Sequence, residues 1–417
     1  MPSTLLFRNL RLFDGLGDAL AEGMEVLVEG DRIREVSDRP IAPPPDGARV
    51  LDCGGRTLMP GLIDAHVHCY GVDADLGRLD RLPRSLQAIR AARRLEESLR
   101  RGFTTIRDAG GADWGLAIAC ETGLIAGPRL FYPGRALSPT GGHGDMRPNV
   151  ALEQICGCCA AASPQAISTI ADGVDEVRRA VRGELKRGAH AIKIMAGGGV
   201  ASPSDPIWAL QYSEEEIACA VSEAAAWRSY VLAHAYTPES IFRAVRLGVR
   251  SIEHANLIDP PTAGLMAGRG AFAVPTLVTY EALAEEGPAL GLPPESMRKL
   301  GEVRDAGLGS LEILARAGVR MGFGTDLLAE MHRRQSDEFV IRRQALPAAE
   351  VLRSATSVNA ALLLREGELG VVRAGALADL ILVDGDPIAD IGVLTGERGE
   401  RIPFVMKGGE AMVDRLG

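Results

Sequence analysis

The chain has 417 residues, 46% hydrophobic and 24% charged, a balance ordinary for a soluble globular protein with room for more than one core. A net charge of −9 without any basic stripe argues against nucleic acid or an anionic membrane as a partner. No stretch approaches the roughly 20 apolar residues of a membrane span, and no signal-like core opens the chain, so a cytoplasmic location is expected.

Residues 1–58 read as short strands. LLFRNLRLF alternates apolar and polar positions, MEVLVEGDRIREV is strand, Gly-Asp turn and strand, and RVLDCGGRTLMP repeats the pattern. From residue 59 to 360 the pattern changes to alternating strand and helix. Eight strands are expected, LIDAHVH, FTTIRDA, RLFYPGRA, AIKIMAG, YVLAHA, RSIEHA, AFAVPT and VRMGFGTD, each apolar enough to be buried on both faces. Helical segments such as DGVDEVRRAVRGELKRG and SEEEIACAVSEAAAWR lie between them, and Ser213 stands three residues before Glu216 at capping-box spacing.

A long insertion follows the third strand, from Ser138 to about Ala171, and such loops usually cover a site. It holds GGHGD and the cysteines Cys156, Cys158 and Cys159. A metal site at those cysteines lacks a local fourth ligand, so free thiols are the alternative. The odd total of seven cysteines fits a reducing compartment. Residues 361–417 return to strands, in LADLILVDGD and IPFVMKGGEAMV. The expected fold class is therefore α/β, a (β/α)8 TIM barrel over residues 59–360. Its partner is a small composite β-sandwich domain made from residues 1–58 and 361–417. A doubly wound open sheet is the alternative to the barrel.

Barrel strands point their C-terminal ends to one rim, where active sites of this fold lie. His66 and His68 end the first expected strand, and their spacing of two puts both imidazoles on one face. Lys193 lies in the fourth, His234 ends the fifth, His254 ends the sixth and Asp326 follows the eighth. A single buried histidine is most simply a hydrogen-bonded core residue. Four of the seven histidines on one rim, beside an aspartate, point instead to a shared metal site.

PGLIDAHVH, the strand-four lysine, the two later histidines and the GTD aspartate resemble the amidohydrolase superfamily. TTIRDAGG, TGGHGD, IKIMAGGGVASPSDP, LAHAYT and GVRSIEHANLID are similar to its zinc dipeptidases. That group is related to imidazolonepropionase and includes prolidase-like, Xaa-Arg/Lys-cleaving and ochratoxin-hydrolysing enzymes. The resemblance implies two Zn2+ ions, with Mn2+ or Co2+ as substitutes, held by His66, His68, Lys193, His234, His254 and Asp326. It implies a CO2-derived carbamate on Lys193, since an ammonium cannot ligate a cation. A lysine simply paired with a nearby acid is the alternative. Asp326 is expected to act as general base and then acid. His143 and Tyr236 are expected to stabilise the oxyanion; an ordinary loop histidine and a packing tyrosine are the plainer readings.

The implied activity is hydrolysis of the amide bond to a C-terminal amino acid in a small-molecule dipeptide or N-acyl amino acid. A cyclic-amide hydrolase and an inactive scaffold are the alternatives, and a homo-oligomer is expected from the resemblance. His190, before strand four, reads as structural or exposed. Arg107, or one of the cations at His332, Arg333 and Arg334, is a candidate for a substrate carboxylate, with a solvated charge run as the plain reading.

Overall fold

A computed structural model of the chain describes residues 4–42, 48–147, 167–202, 205–292 and 294–416. The chain opens with β1 (Thr4–Leu12), β2 (Ala21–Glu29), β3 (Arg32–Ser37), β4 (Arg49–Asp52) and β5 (Thr57–Pro60). The middle carries β6 (Leu62–Val67), β7 (Phe103–Asp108), β8 (Arg129–Phe131), β9 (Ala136–Ser138) and β10 (Ser168–Ile170). It continues with β11 (Ile192–Met195), β12 (Val231–Ala235), β13 (Ser251–His254), β14 (Phe272–Val274) and β15 (Arg320–Met321). Three strands follow, β16 (Leu380–Val383), β17 (Phe404–Lys407) and β18 (Glu410–Asp414).

The first five and the last three strands form one sheet in the order β18-β17-β16-β5-β1-β2-β3, with β4 beside β1. The join between the two chain ends is antiparallel, with Ile381 opposite Met59 and Leu382 opposite Leu58. These residues, with Phe7 and Phe404 edge to edge at 5.6 Å, are fully buried. Leu58, Leu382, Phe7 and Phe404 share one core made by both chain ends, while Met59 and Ile381, on the opposite face, join the core of the middle strands.

The middle strands lie in two parallel sheets, β6-β7-β8 and β10-β9-β11-β12-β13-β14-β15. Every residue of β6, β7, β11, β12 and β13 is buried, as continuous apolar runs require when helices cover a parallel sheet. The helices show why they begin where they do. Ser213 and Glu216 close the expected capping box of Glu214–Ala226. Thr237 caps Pro238–Arg246, with proline in the first turn. Backbone bonds also link the two sheets. Ala65 N donates to Phe323 O at 2.8 Å and Asp326 N to His66 O at 2.8 Å, while His190 N donates to Tyr132 O at 2.8 Å.

Two elements differ from expectation. RLFYPGRA is two strands, β8 pairing with β7 and β9 with β10 and β11. Pro133 and Gly134 break it; Gly134 has φ of 73°, and a Cβ there would meet the Glu184 carboxylate. The insertion also returns to the sheet as β10, where a loop was expected. Cys156, Cys158 and Cys159 lie outside the described residues.

Candidate active site

The strand ends carry the expected residues to one place. His66 ends β6 with its Nε2 3.5 Å from Asp326 Oδ1, and His68 Nε2 lies 3.3 Å from the same oxygen. The ring centroid of His254 is 4.9 Å from that of His66 and 4.7 Å from that of His234. All five, with Lys193, His143 and Tyr236, line one cavity. His254 and Asp326 hold left-handed backbone, φ 79° and 53°, a conformation that costs non-glycine residues about 1–3 kcal/mol each. Such strain persists only where the surroundings fix it, and here it sits at two of the six expected ligands.

Each imidazole is held from behind. His66 Nδ1 faces Glu253 Oε2 at 2.7 Å, His68 Nδ1 faces Gly110 O at 2.8 Å and His254 Nδ1 faces Thr276 Oγ1 at 2.8 Å. The carboxylate and the carbonyl can only accept, so on His66 and His68 they select the tautomer with hydrogen on Nδ1 and leave a lone pair on Nε2, while the Thr276 hydroxyl fixes the orientation of the His254 ring. His234 is turned the other way, with Nε2 3.1 Å from Gly198 O. Burial pushes His234 and His254 well down, to the neutral imidazole that ligates metals.

Glu253 carries no sequence pattern that marks it. It is fully buried, accepts both a 2.8 Å bond from Arg107 Nη2 and the His66 contact, and takes a further bond from Ser251. Burial opposes its ionisation most strongly, but the Arg107 charge, the hydrogen bond and charge of His66 and the Lys193 charge together outweigh it and hold the carboxyl well below the usual range. Arg107 is thereby spent on Glu253 and Ala65 O, not on a substrate carboxylate.

Lys193 is 1% exposed in the cavity wall, and burial pushes its ammonium down to about 8. Asp326 is opposed by burial too, yet the charges and hydrogen bonds of His66 and His68 hold its carboxyl far below the carboxylate range. His66 Nε2 is buried without a hydrogen-bond partner. Buried polar atoms are rarely left so, and a nitrogen lone pair beside two imidazoles and a carboxylate is the donor set of a zinc-type cation. The residues present therefore fit a metal.

On the far side of this cluster, His143 stacks on His234 at 4.2 Å between centroids. Its Nδ1 lies 3.4 Å from Asp205 Oδ2, and its backbone N–H donates to Gln211 Oε1 at 2.8 Å. A Cβ on Gly199 would lie 2.1 Å from the His143 ring, so only glycine there seats it. Tyr236 lies 4.8 Å from the His234 ring and receives a 3.1 Å bond from Tyr280 Oη. Burial raises the Tyr236 pKa, which keeps it a phenol.

The remaining candidates lie elsewhere. Arg333 pairs with Glu286 at 2.9 Å and Arg334 with Glu285 at 2.7 Å, so both guanidiniums are occupied by acids of the chain. His332 is buried with Nδ1 3.1 Å from Arg101 Nη2. His190 is exposed and borders a separate cleft of about 1270 Å³ with Tyr132 and Arg365. Among the described residues, no helix is long and apolar enough to cross a membrane. Sequence reasoning misses Glu253, Thr276 and Tyr280 because no local pattern marks a residue whose partner lies in another βα unit.

The comparisons agree with this geometry. The model of the Amidohydrolase family matches residues 57–412. The ochratoxinase of Aspergillus niger is 36% identical over 367 residues, 85% of this chain and 75% of that protein. A crystal structure of an amidohydrolase is 53% identical over all of both chains, with a TM-score of 0.94. A prolidase complexed with N-methylphosphonate-L-proline is 51% identical over 98% of this chain and 99% of that one, also with a TM-score of 0.94. With the family model covering most of the chain, this protein belongs to the amidohydrolase family, in its prolidase-like group, and is a hydrolase of amide bonds.

Proposed function

We propose that this chain is a binuclear zinc amidohydrolase that hydrolyses the amide bond to the C-terminal amino acid of dipeptides or N-acyl amino acids. The observation that carries this is the convergence of His66, His68, Lys193, His234, His254 and Asp326 on one cavity, with His143 and Tyr236 beside them. In this reading those six hold two zinc ions, with Lys193 carboxylated by CO2 to an anionic ligand. Manganese or cobalt suits the same donors. The parallel strands close as a (β/α)8 barrel over residues 59–360, with a composite β-sandwich domain of residues 1–58 and 361–417. The backbone bonds between the two parallel sheets and the shared end sheet support that architecture.

When bound, the ions supply an activated water and a Lewis acid for the scissile carbonyl. Asp326 accepts a proton at its carboxylate and returns it to the leaving nitrogen. Tyr236 receives its hydrogen bond from Tyr280 and so keeps its own proton for the substrate's carbonyl oxygen. His143 supplies the second donor. Each such donor contributes about 10²–10³ in rate when it meets the developing oxyanion.

The cavity wall also bears on the substrate. Leu76, Met146, Ile167, Val200, Leu283 and Leu328 line it, and among the described lining residues Asp326 is the only carboxylate. A lysine or arginine side chain would be desolvated there unpaired, so Xaa-Pro, Xaa-Phe and N-acyl-phenylalanine substrates fit better than Xaa-Arg or Xaa-Lys. The prolidase relative's ligand, a tetrahedral phosphonate on proline, has this chemistry. The test is a panel of these dipeptides and ochratoxin A with zinc-loaded enzyme, alongside metal analysis and light scattering for the expected homo-oligomer. Cleavage of a carboxylate-bearing amide that stops when the C-terminus is blocked supports the reading. Silence across the panel with two metals bound overturns it in favour of a cyclic amide.

A further inference from the structure

Lys299 lies in the helix Pro294–Ala317, about a hundred residues beyond the glycine-rich loop after β11. Its Nζ donates to three carbonyls of that loop, Gly199 O at 2.5 Å, Ser202 O at 2.5 Å and Asp205 O at 2.8 Å. An ammonium has three N–H donors, and here all three go to one short segment. One turn earlier on the helix, Ser296 Oγ donates to Ala201 O at 3.4 Å. Leu300 and Val303 pack in the same apolar cluster as Val200 and Ile207. The helix is thus fastened to the loop by both polar and apolar contacts.

That loop is what holds His143. Gly199 supplies the open space against its ring, and Asp205 faces its Nδ1 at 3.4 Å. Asp205 Oδ2 also accepts from Gly199 N at 2.9 Å and Gln211 Nε2 at 3.0 Å, and Gln211 Oε1 accepts from His143 N. Apart from its stacking on His234, the ring is therefore held through residues that Lys299 ties together or through their direct partner. We infer that Lys299 is a positioning residue for catalysis: its ammonium gathers the loop carbonyls of Gly199, Ser202 and Asp205, and the gathered loop sets the His143 ring at the reacting carbonyl. The inference rests on the proposed role of His143 and leaves the metal ligands untouched.

The experiment is a double-mutant cycle with Lys299→Ala and His143→Ala, read as kcat, KM and zinc per chain on a cleaved dipeptide. Lys299→Ala is expected to lower kcat at least tenfold with zinc content unchanged, and to cost less than threefold when His143 is already alanine. Ammonium or methylammonium, small enough to occupy the three carbonyls, restores part of the kcat of Lys299→Ala, while tetramethylammonium does not. Wild-type kcat in Lys299→Ala, or full additivity with His143→Ala, overturns the inference. A loss of kcat that follows lost zinc also overturns it. Should the alanine variant not fold, Lys299→Met keeps the apolar stem and is read by the same criteria. If His143→Ala itself keeps wild-type kcat, the proposed role of His143 fails, which is a separate result from failure of the Lys299 inference.

Discussion

His66 and His332 are both buried, yet the two regions around them are built for opposite ends. At the rim, His66 gives its Nδ1 to an anion, Glu253, and aims Nε2 at Asp326 with no protein partner. In the turn Ala329–Arg334, His332 meets a cation, Arg101, at the same ring atom. Burial first, then the charges of Arg101 and Arg94, keep it neutral. Arg101 goes on to Gln335 and Gln335 to Asp64, which also accepts from Thr325 and the His66 backbone, so the polar contacts of that region end on groups of the chain itself. Burial does not make a ligand. What separates the two is whether the second-layer partner prepares a lone pair and leaves it facing shared space.

The sharpest break of this comparison is Asp326→Asn. It keeps the shape of the rim but removes the proton acceptor, and kcat is expected to fall by about 10³ or more with the fold intact by circular dichroism. Retained turnover would remove Asp326 from the chemistry. Thr276→Val takes the partner from His254 Nδ1 and should weaken zinc affinity by roughly 10–100-fold, measured by competition with a chelator. Unchanged affinity would show that the ring's orientation is fixed without it. His332→Leu should do the reverse, lowering stability by about 1–3 kcal/mol in denaturant melts while zinc content and kcat hold. A fall in zinc content there would erase the distinction between the regions. Smallest of all, Arg334→Ala breaks surface pairs worth about 1 kcal/mol at most and leaves KM for a free-carboxylate substrate unchanged. A large rise in KM would return Arg334 to the substrate.

The parts of the molecule written in local pattern are legible in the amino-acid sequence. HVH at a strand end, the later strand-end histidines and the GTD aspartate each sit in a short apolar run, and the run carries its position. The capping box at Ser213 is legible for the same reason. The break inside RLFYPGRA is not, because a single Pro-Gly pair could equally be a bend within one strand. β10 is hidden in a long insertion, where pairing with β9 decides its state. Glu253, Asp205 and Lys299 show the general limit. Their roles come from partners in other units, 187 residues away for Glu253 and His66, and neither periodicity nor spacing records such a meeting.

The end sheet has a consequence for synthesis. Strand β5 is made early, but its neighbour β16 emerges about 320 residues later, roughly 15–60 s at ordinary elongation rates. Through that interval the backbone edge and the apolar face of β5, including Leu58 and Met59, await a partner on the ribosome. An unpaired apolar edge is a site of mispairing between nascent chains. Slowing translation lengthens that wait and is expected to lower the soluble yield.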